Sequence, residues 1–392
     1  GINLIPLARF AMAQYDKDGC EAFQLDYREE DYDVKEAILD EKMHKAIAII
    51  QFKLEGQLIK RRPEFHMEQR LLLDKMDLEK GTVRVEGREY PLRDTSFPTV
   101  NPSVPYDLTA EEQDVMERLV QAFVNCERLQ QHVRFLYAKG SLYKVYNSNL
   151  LYHGCVPFCE DGTFKKVDVF GTKYSGKALY DVLEHYARKG YFAVDQTERQ
   201  KGQDILWFIW ENADSPVFGK SKMTTFERYF VADPSTHYEP KNPYYRLIEQ
   251  EEIVNKILTE FELPIEGAHI INGHIPVESK KGESPVKCNG KLLIIDGGFS
   301  KAYQPKTGIA GYTLIYNSYG LLLAAHEPFE SVEKAVQNGS DIHSHTVLVQ
   351  QVQRRKTVAD TDVGKELKES IRELEALLAA YREGVLATSY RS

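Results

Sequence analysis

Two short apolar runs in this chain of 392 residues end at a histidine beside a glycine. One is Leu150-Leu151-Tyr152-His153-Gly154-Cys155; the other leads from Ala268–Ile271 into Asn272-Gly273-His274-Ile275-Pro276-Val277. Runs of this length and composition read as buried strands. A neighbouring glycine lets backbone and ligand approach closely. Two such strands in one sheet bring two imidazoles together, and neutral imidazole suits zinc, manganese and iron. The pair therefore reads as half of a metal site. The plainer alternative is a core histidine bonded to backbone, and the repeated strand–histidine–glycine context favours the metal. The carboxylates that would complete a two-metal centre are not recognisable in the sequence.

Other histidines carry less. His269 lies within the strand 268–271 and reads as structural. His343 and His345, in Asp341-Ile342-His343-Ser344-His345, read as a solvated loop rather than a ligand pair.

Composition narrows the class. Hydrophobic residues make up 42% and charged residues 28%, ordinary for a globular protein. With 50 Lys and Arg against 59 Asp and Glu, the formal charge is -9. That balance argues against a nucleic-acid surface, while leaving room for a local basic pocket for phosphate. The five cysteines, at 20, 126, 155, 159 and 288, are scattered and odd in number. They suit reduced thiols in a cytoplasmic protein rather than a disulfide framework or a zinc ribbon. No apolar run is long enough to span a membrane, and no secretory leader pattern opens the chain. A start at Gly1 without an initiator methionine is read as that of a fragment or processed piece.

The pattern predicts an α/β (α+β) fold. Residues 1–140 read as a mostly helical insertion or cap. Met43, Ile47, Ile50 and Leu54 mark one face of a helix between Asp33 and Glu55, which Arg61-Arg62-Pro63 stops. Thr82–Leu92 reads as a hairpin turning at Glu86-Gly87. Thr109 and Glu112 form a capping box that opens a long helix towards Gly140. Residues 141–352 alternate strands (142–146, 149–153, 164–170, 268–271, 291–295, 312–316, 321–325, 346–352) with helices (176–189, 222–230, 248–261), as in sheets covered by helices. Residues 353–392 hold an amphipathic helix with Leu367, Ile371, Leu374, Leu378 and Tyr381 on one face. Two heptads are too few to define a coiled coil, so this face is expected to pack on its own domain.

Asp214–Tyr229 is the strongest anion-binding candidate. A glycine-containing loop leads into a helix start, with Lys220 and Lys222 at its mouth and Arg228 offering a bidentate fork. A surface basic helix start is the competing reading. Lys287, following Lys280-Lys281, and Lys301 and Tyr303, in the loop after the next strand, are further candidates for holding a sugar phosphate, with a solvated loop as the competing reading.

These residues resemble the class III fructose-1,6-bisphosphatases of low-GC Gram-positive bacteria, within the calcineurin-like metallophosphatase superfamily. The resemblance rests on Leu150–Cys155, on Ser215–Phe230 with Lys241-Asn242-Pro243-Tyr244-Tyr245, and on Asn272–Asn317. It implies a metallophosphatase-type β-sandwich flanked by helices, with 141–352 as the C-terminal half of a catalytic domain. It implies hydrolysis of the 1-phosphate of fructose 1,6-bisphosphate to fructose 6-phosphate, in gluconeogenesis, by water activated at a two-metal, manganese site. It also implies AMP and phosphoenolpyruvate as effectors; homo-oligomerisation stays open. His153 and His274 match the family's two histidine motifs. The D-x-H, G-D-x-x-D-R-G and G-N-H-D/E motifs that precede them in the superfamily do not occur ahead of His153. The catalytic acid is not assignable, and the 392-residue piece alone is expected to be inactive. Two alternatives remain: a metallophosphatase of a phosphoprotein or dinucleotide, and a non-catalytic regulatory or interaction subunit with vestigial metal histidines.

Overall fold

The computed structural model describes residues 2–25, 33–296, 300, 304–309, 311–328, 331–339, 344–352 and 354–386. The chain divides into two compact units: Gly1–Ser141 with Phe164–Asn242, and Leu142–Thr163 with Pro243–Ser392. Segment 164–242 thus groups with the N-terminal helices, whereas sequence texture places it in the block 141–352. Helices and several sheets coexist, an α+β fold.

The first unit is built around the helix Val34–Arg61, which Asp33 caps by accepting from the N–H groups of Lys35 and Glu36. One side of it shares a core with the helices Ile5–Gln14 and Ala110–Val124, through Leu7, Phe10, Ile50, Val115 and Leu119. Another packs Ile49 and Phe52 against Val83 and Val85 of the hairpin and against Phe226 and Phe230. Nearly every face is therefore enclosed, and the stripe Met43–Leu54 is only part of what it buries. The capping box forms as expected, with both Thr109–Glu112 bonds present. The helix it opens does not run on to Gly140. It ends at Val124, and a second helix, Glu127–Lys139, starts after Asn125 and Cys126. The helical pattern 222–230 shortens to Thr225–Phe230, and the strand run 164–170 to Val167–Val169.

A helix that the apolar pattern did not reveal, Gln196–Glu211, packs along Gly176–Phe192. Its first half is polar, and its start is fixed by Asp195 accepting from Glu198 N–H. The two helices touch backbone to backbone at Gly190 and Gly202. A Cβ on Gly202 would lie 2.1 Å from the Gly190 nitrogen, so only glycine permits this crossing.

The same unit buries an unusual polar cluster. Arg70 lies 3.3 Å from Glu55 and 3.5 Å from Glu211. Among the described residues, neither Glu211 oxygen has a hydrogen-bond partner. Burial pushes the Glu211 carboxyl up to about 8; Arg70 opposes that shift and Glu55 adds to it. Because the folded state holds this proton more tightly than the unfolded chain, its contribution is complete below the ordinary glutamate range. It is lost as pH rises towards 8. Unfolding free energy is expected to fall across that window by up to about 1.4 kcal/mol per pH unit. Glu211→Gln, neutral throughout, should flatten the slope in urea melts followed between pH 5 and pH 9. An unchanged slope would show that Glu211 is already ionised in the fold.

In the second unit a five-stranded sheet has the order Tyr143–Tyr146, Asn149–Tyr152, His269–Asn272, Leu292–Ile294, Val286–Lys287. Its three central strands are parallel and its edge strands antiparallel. An antiparallel sheet of Gly311–Asn317, Gly320–His326 and Ser344–Gln351 faces it. Ile271 and Leu293 from the first sheet and Leu321 from the second form one apolar cluster with Leu151, Leu314, Tyr316 and Val349.

The C-terminal helix, Asp362–Arg382, does not pack on its own domain as expected. Every residue from Lys365 to Ala379 is exposed, including Leu367, Ile371, Leu374 and Leu378. An amphipathic period states that a face needs cover, not what supplies it. Among the described residues no helix is long and apolar enough to cross a membrane.

Candidate metal centre

The parallel register sets Tyr152 opposite Asn272, so both strands finish at one edge of the sheet. His153 follows the first strand directly, and its carbonyl accepts the Gly273 N–H at 3.0 Å. The Asn272 side-chain amide donates to the carbonyls of His153 and Gly154, stitching the two turns together. His274 then takes a left-handed conformation, φ 68°, while Ile275 N–H reaches back to the Gly273 carbonyl at 2.8 Å. A three-residue turn with positive φ at its centre is uncommon and strained for a residue bearing a side chain. It presents the imidazole at the strand end.

The outcome is the predicted juxtaposition. His274 Nδ1 lies 3.0 Å from His153 Nε2, with the rings 79° apart in plane. Two nitrogens each about 2.1 Å from one ion, on adjacent corners of its coordination shell, are separated by about 3 Å. The pair thus fits as one edge of a metal's coordination shell. Beneath it the strand is anchored by a buried 2.8 Å hydroxyl pair between Tyr152 and Tyr244. Among the described residues, however, no group of three His, Cys, Asp or Glu side chains converges as a metal site.

A third parallel strand, Leu292–Ile294, ends at the same edge. Beyond it stands Asp296, whose carbonyl accepts from Val277 N–H at 2.9 Å. A Cβ built on Gly273 would lie 3.8 Å from His153 Nδ1 and 3.9 Å from Asp296 Cβ, so the three residues border one space. The sequence gives this residue the same setting as His153, an apolar run followed by a polar residue and glycine, but that setting alone does not mark it as a ligand. His269 is structural, as expected: its ring meets the Gly290 carbonyl and Gln350 Oε1. His345 is exposed and paired with Glu327. All five cysteines are free thiols.

The candidate phosphate contacts are engaged with carboxylates. Lys287 bonds Glu249 and Glu283; burial opposes its charge, but those partners outweigh it and hold the ammonium above its usual range. Lys220, Lys222 and Arg228 belong to the other compact unit. Lys220 pairs with Glu239 at 2.7 Å and Lys222 with Glu86 at 2.6 Å. Arg228 donates to Thr224 Oγ1 and the His237 carbonyl, with Glu239 at 3.9 Å. Glu239 also accepts from the Thr224 N–H and hydroxyl. Burial works against its charge, yet these partners keep its carboxyl below the usual range. A carboxylate therefore sits among the cations that the sequence marks for a phosphate. Lys301, Tyr303 and His343 lie outside the described residues, as does Asp341-Ile342-His343, a D-x-H string that follows rather than precedes the histidine pair.

Known proteins resemble this chain over nearly its whole length. The Firmicute fructose-1,6-bisphosphatase family matches residues 1–383. The chain is 55% identical over 387 residues to a class 3 fructose-1,6-bisphosphatase of Clostridium novyi, covering 98% of this chain and 58% of the relative. It is 56% identical over 394 residues to one from Clostridium acetobutylicum, covering 100% of this chain and 59% of that protein. The chain thus spans less than two thirds of the length of these curated relatives. No solved structure matches. The chain belongs to the Firmicute fructose-1,6-bisphosphatase family.

Proposed function

We propose that this chain is part of a phosphoric monoester hydrolase that removes the 1-phosphate of fructose 1,6-bisphosphate, giving fructose 6-phosphate and phosphate in gluconeogenesis. The observation that carries the reading is the His153–His274 pair, 3.0 Å apart at the ends of two parallel strands, in a chain that matches this family almost throughout. A divalent ion, manganese in this proposal, would supply Lewis acidity and a water of lowered pKa when bound. His153 Nε2 and His274 Nδ1 would hold it, which requires the proton of each ring to reside on the other nitrogen. Lys287, Lys301 and Tyr303, with the segment bearing Lys220, Lys222 and Arg228, are the proposed phosphate contacts. To serve, the lysines and Arg228 must exchange carboxylate partners such as Glu239, Glu86 and Glu249 for phosphate oxygens. That trades one charge-assisted bond for another, at small net cost. Residues 1–140, with which 164–242 group, would be the helical insertion region of that enzyme, and the histidine pair belongs to the other unit. Cysteines in the thiol form suit a cytoplasmic enzyme, and AMP and phosphoenolpyruvate are its proposed effectors.

The metal step is testable on the chain itself. Manganese titrated by electron paramagnetic resonance is expected to bind one site, and His153→Ala or His274→Ala should each weaken it at least tenfold. Equal binding by wild type and both variants would sink the assignment. One observation favours a second reading, a non-catalytic subunit with vestigial histidines: no third ligand converges on the pair among the described residues. Absence of any manganese binding would support that reading.

A further inference from the structure

The helix Asp362–Arg382 is tied to its unit at one end. Asp362 and Asn147 exchange two bonds, at 2.6 and 2.9 Å, and Thr361 caps the helix by accepting from Gly364 N–H. Beyond Gly364, Lys368 Nζ donates to the Ala359 carbonyl at 3.0 Å, a bond it would exchange in any new ion pair, while the large apolar side chains of the helix are each between two fifths and two thirds exposed. An isolated helix of this length is marginal in water, because helical stability in proteins comes mainly from packing an apolar face. Something must cover this one.

The spacing, too short to define a coiled coil by itself, is compatible with one geometry of cover. Leu367, Ile371, Leu374, Leu378 and Tyr381 recur at alternating steps of four and three, the seam of a left-handed coiled coil. Leu377 widens the seam on one side, the edge that also holds Val363 and Ser370. The opposite flank carries Lys368, Glu375 and Arg382. Laid antiparallel on a second copy about its own midpoint, the helix sets Ile371 against Leu374 and Leu367 against Leu378, each contact twice by symmetry. The same register brings Lys368 near Glu375 of the second copy, again twice. Shifting the register by one heptad towards the C-terminus puts Glu375 near its own copy and Lys368 near Arg382, both repulsive. A parallel pairing gives the flank no partner, because the facing positions are Ser370 and Leu377.

We propose that this helix is a self-association surface, pairing antiparallel with the same helix of a second copy of this chain. Self-complementarity favours that occupant: both the apolar layers and the charge pairs close at the one register that overlaps the whole helix, which an unrelated segment has no reason to match.

The test is the oligomeric state of the full chain, by light scattering and sedimentation across micromolar concentrations. Wild type is expected to dimerise. Leu374→Glu lies on an exposed face and should leave the fold intact by circular dichroism while weakening the dimer more than a hundredfold. Lys368→Glu should weaken it several-fold to tenfold. The double variant Lys368→Glu with Glu375→Lys should restore wild-type association, a rescue that parallel pairing does not produce. A wild-type monomer at all concentrations, a dimer indifferent to Leu374→Glu, or failure of the charge exchange to rescue would each overturn the proposal. A monomer that instead binds lipid vesicles would assign the face to a membrane surface.

Discussion

Residues 1–392, supplied with manganese and fructose 1,6-bisphosphate, are expected to release no phosphate above the uncatalysed background. The reason is charge. Two divalent ions about 4 Å apart repel by on the order of 16 kcal/mol even at an effective dielectric of about 20. A two-metal phosphatase site offsets this with a bridging carboxylate that also fixes the attacking water. As the proposed ligands, His153 and His274 would be neutral, and among the described residues no group of three His, Cys, Asp or Glu side chains forms a metal site with them. Without such a bridge the geometry of attack would not be held, so the deficit should be many orders of magnitude. Adding a separate polypeptide that carries the D-x-H, G-D-x-x-D-R-G and G-N-H-D/E motifs is expected to restore turnover, and His274→Ala should then abolish it. Steady manganese-dependent release by residues 1–392 alone, lost in His274→Ala, would refute this. It would mean that carboxylates within the chain complete the centre.

The histidine pair was legible because its signal is local. An apolar run fixes a strand, and the strand fixes where its last side chain points. The register that joins the two is set by neighbouring strands, and here the parallel pairing of Asn149–Tyr152 with His269–Asn272 delivers what the motifs suggest. Asp296 shares that local signal, but its relation to His153 depends on a third strand being parallel and adjacent, which no pattern states. The basic segment illustrates the opposite failure. Lys220, Lys222 and Arg228 are recognisable as cations, whereas Glu239 and Glu86, which engage them, are distant in sequence and carry no motif. Gln196–Glu211 escaped notice because its first half is polar: its buried apolar residues, Ile205, Phe208 and Ile209, fall in the second half, and the close contact at Gly202 has no hydrophobic signature. In Val34–Arg61 the period pointed to one face, yet the helix is enclosed nearly all round, and lysines 42, 45 and 53 lie in its core. A hydrophobicity pattern treats such lysines as solvent-facing.

Lys53→Met is accordingly expected to destabilise the first unit severely. The Lys53 ammonium is fully buried, bonding the Thr99 carbonyl at 2.6 Å and Glu112 Oε2 at 2.7 Å; the Glu112 side chain is fully buried too. Methionine keeps most of the volume but leaves a buried carboxylate without its counter-charge. Breaking a buried pair from one side costs about 3–5 kcal/mol, far more than an exposed pair is worth. Glu112 cannot swing out to water cheaply, because the same oxygen accepts the Thr109 N–H at 2.8 Å and closes the capping box. Adding Glu112→Gln to Lys53→Met should recover part of the loss, since the residual cost is that of an uncompensated charge. The protein's two tryptophans, Trp207 and Trp210, both lie in Gln196–Glu211, so their fluorescence reports this unit in urea. A midpoint for Lys53→Met within about 1 kcal/mol of wild type at equal slope would refute the account. Equal loss in the single and double variants would locate the cost in the Thr99 carbonyl and lost packing rather than in the stranded carboxylate.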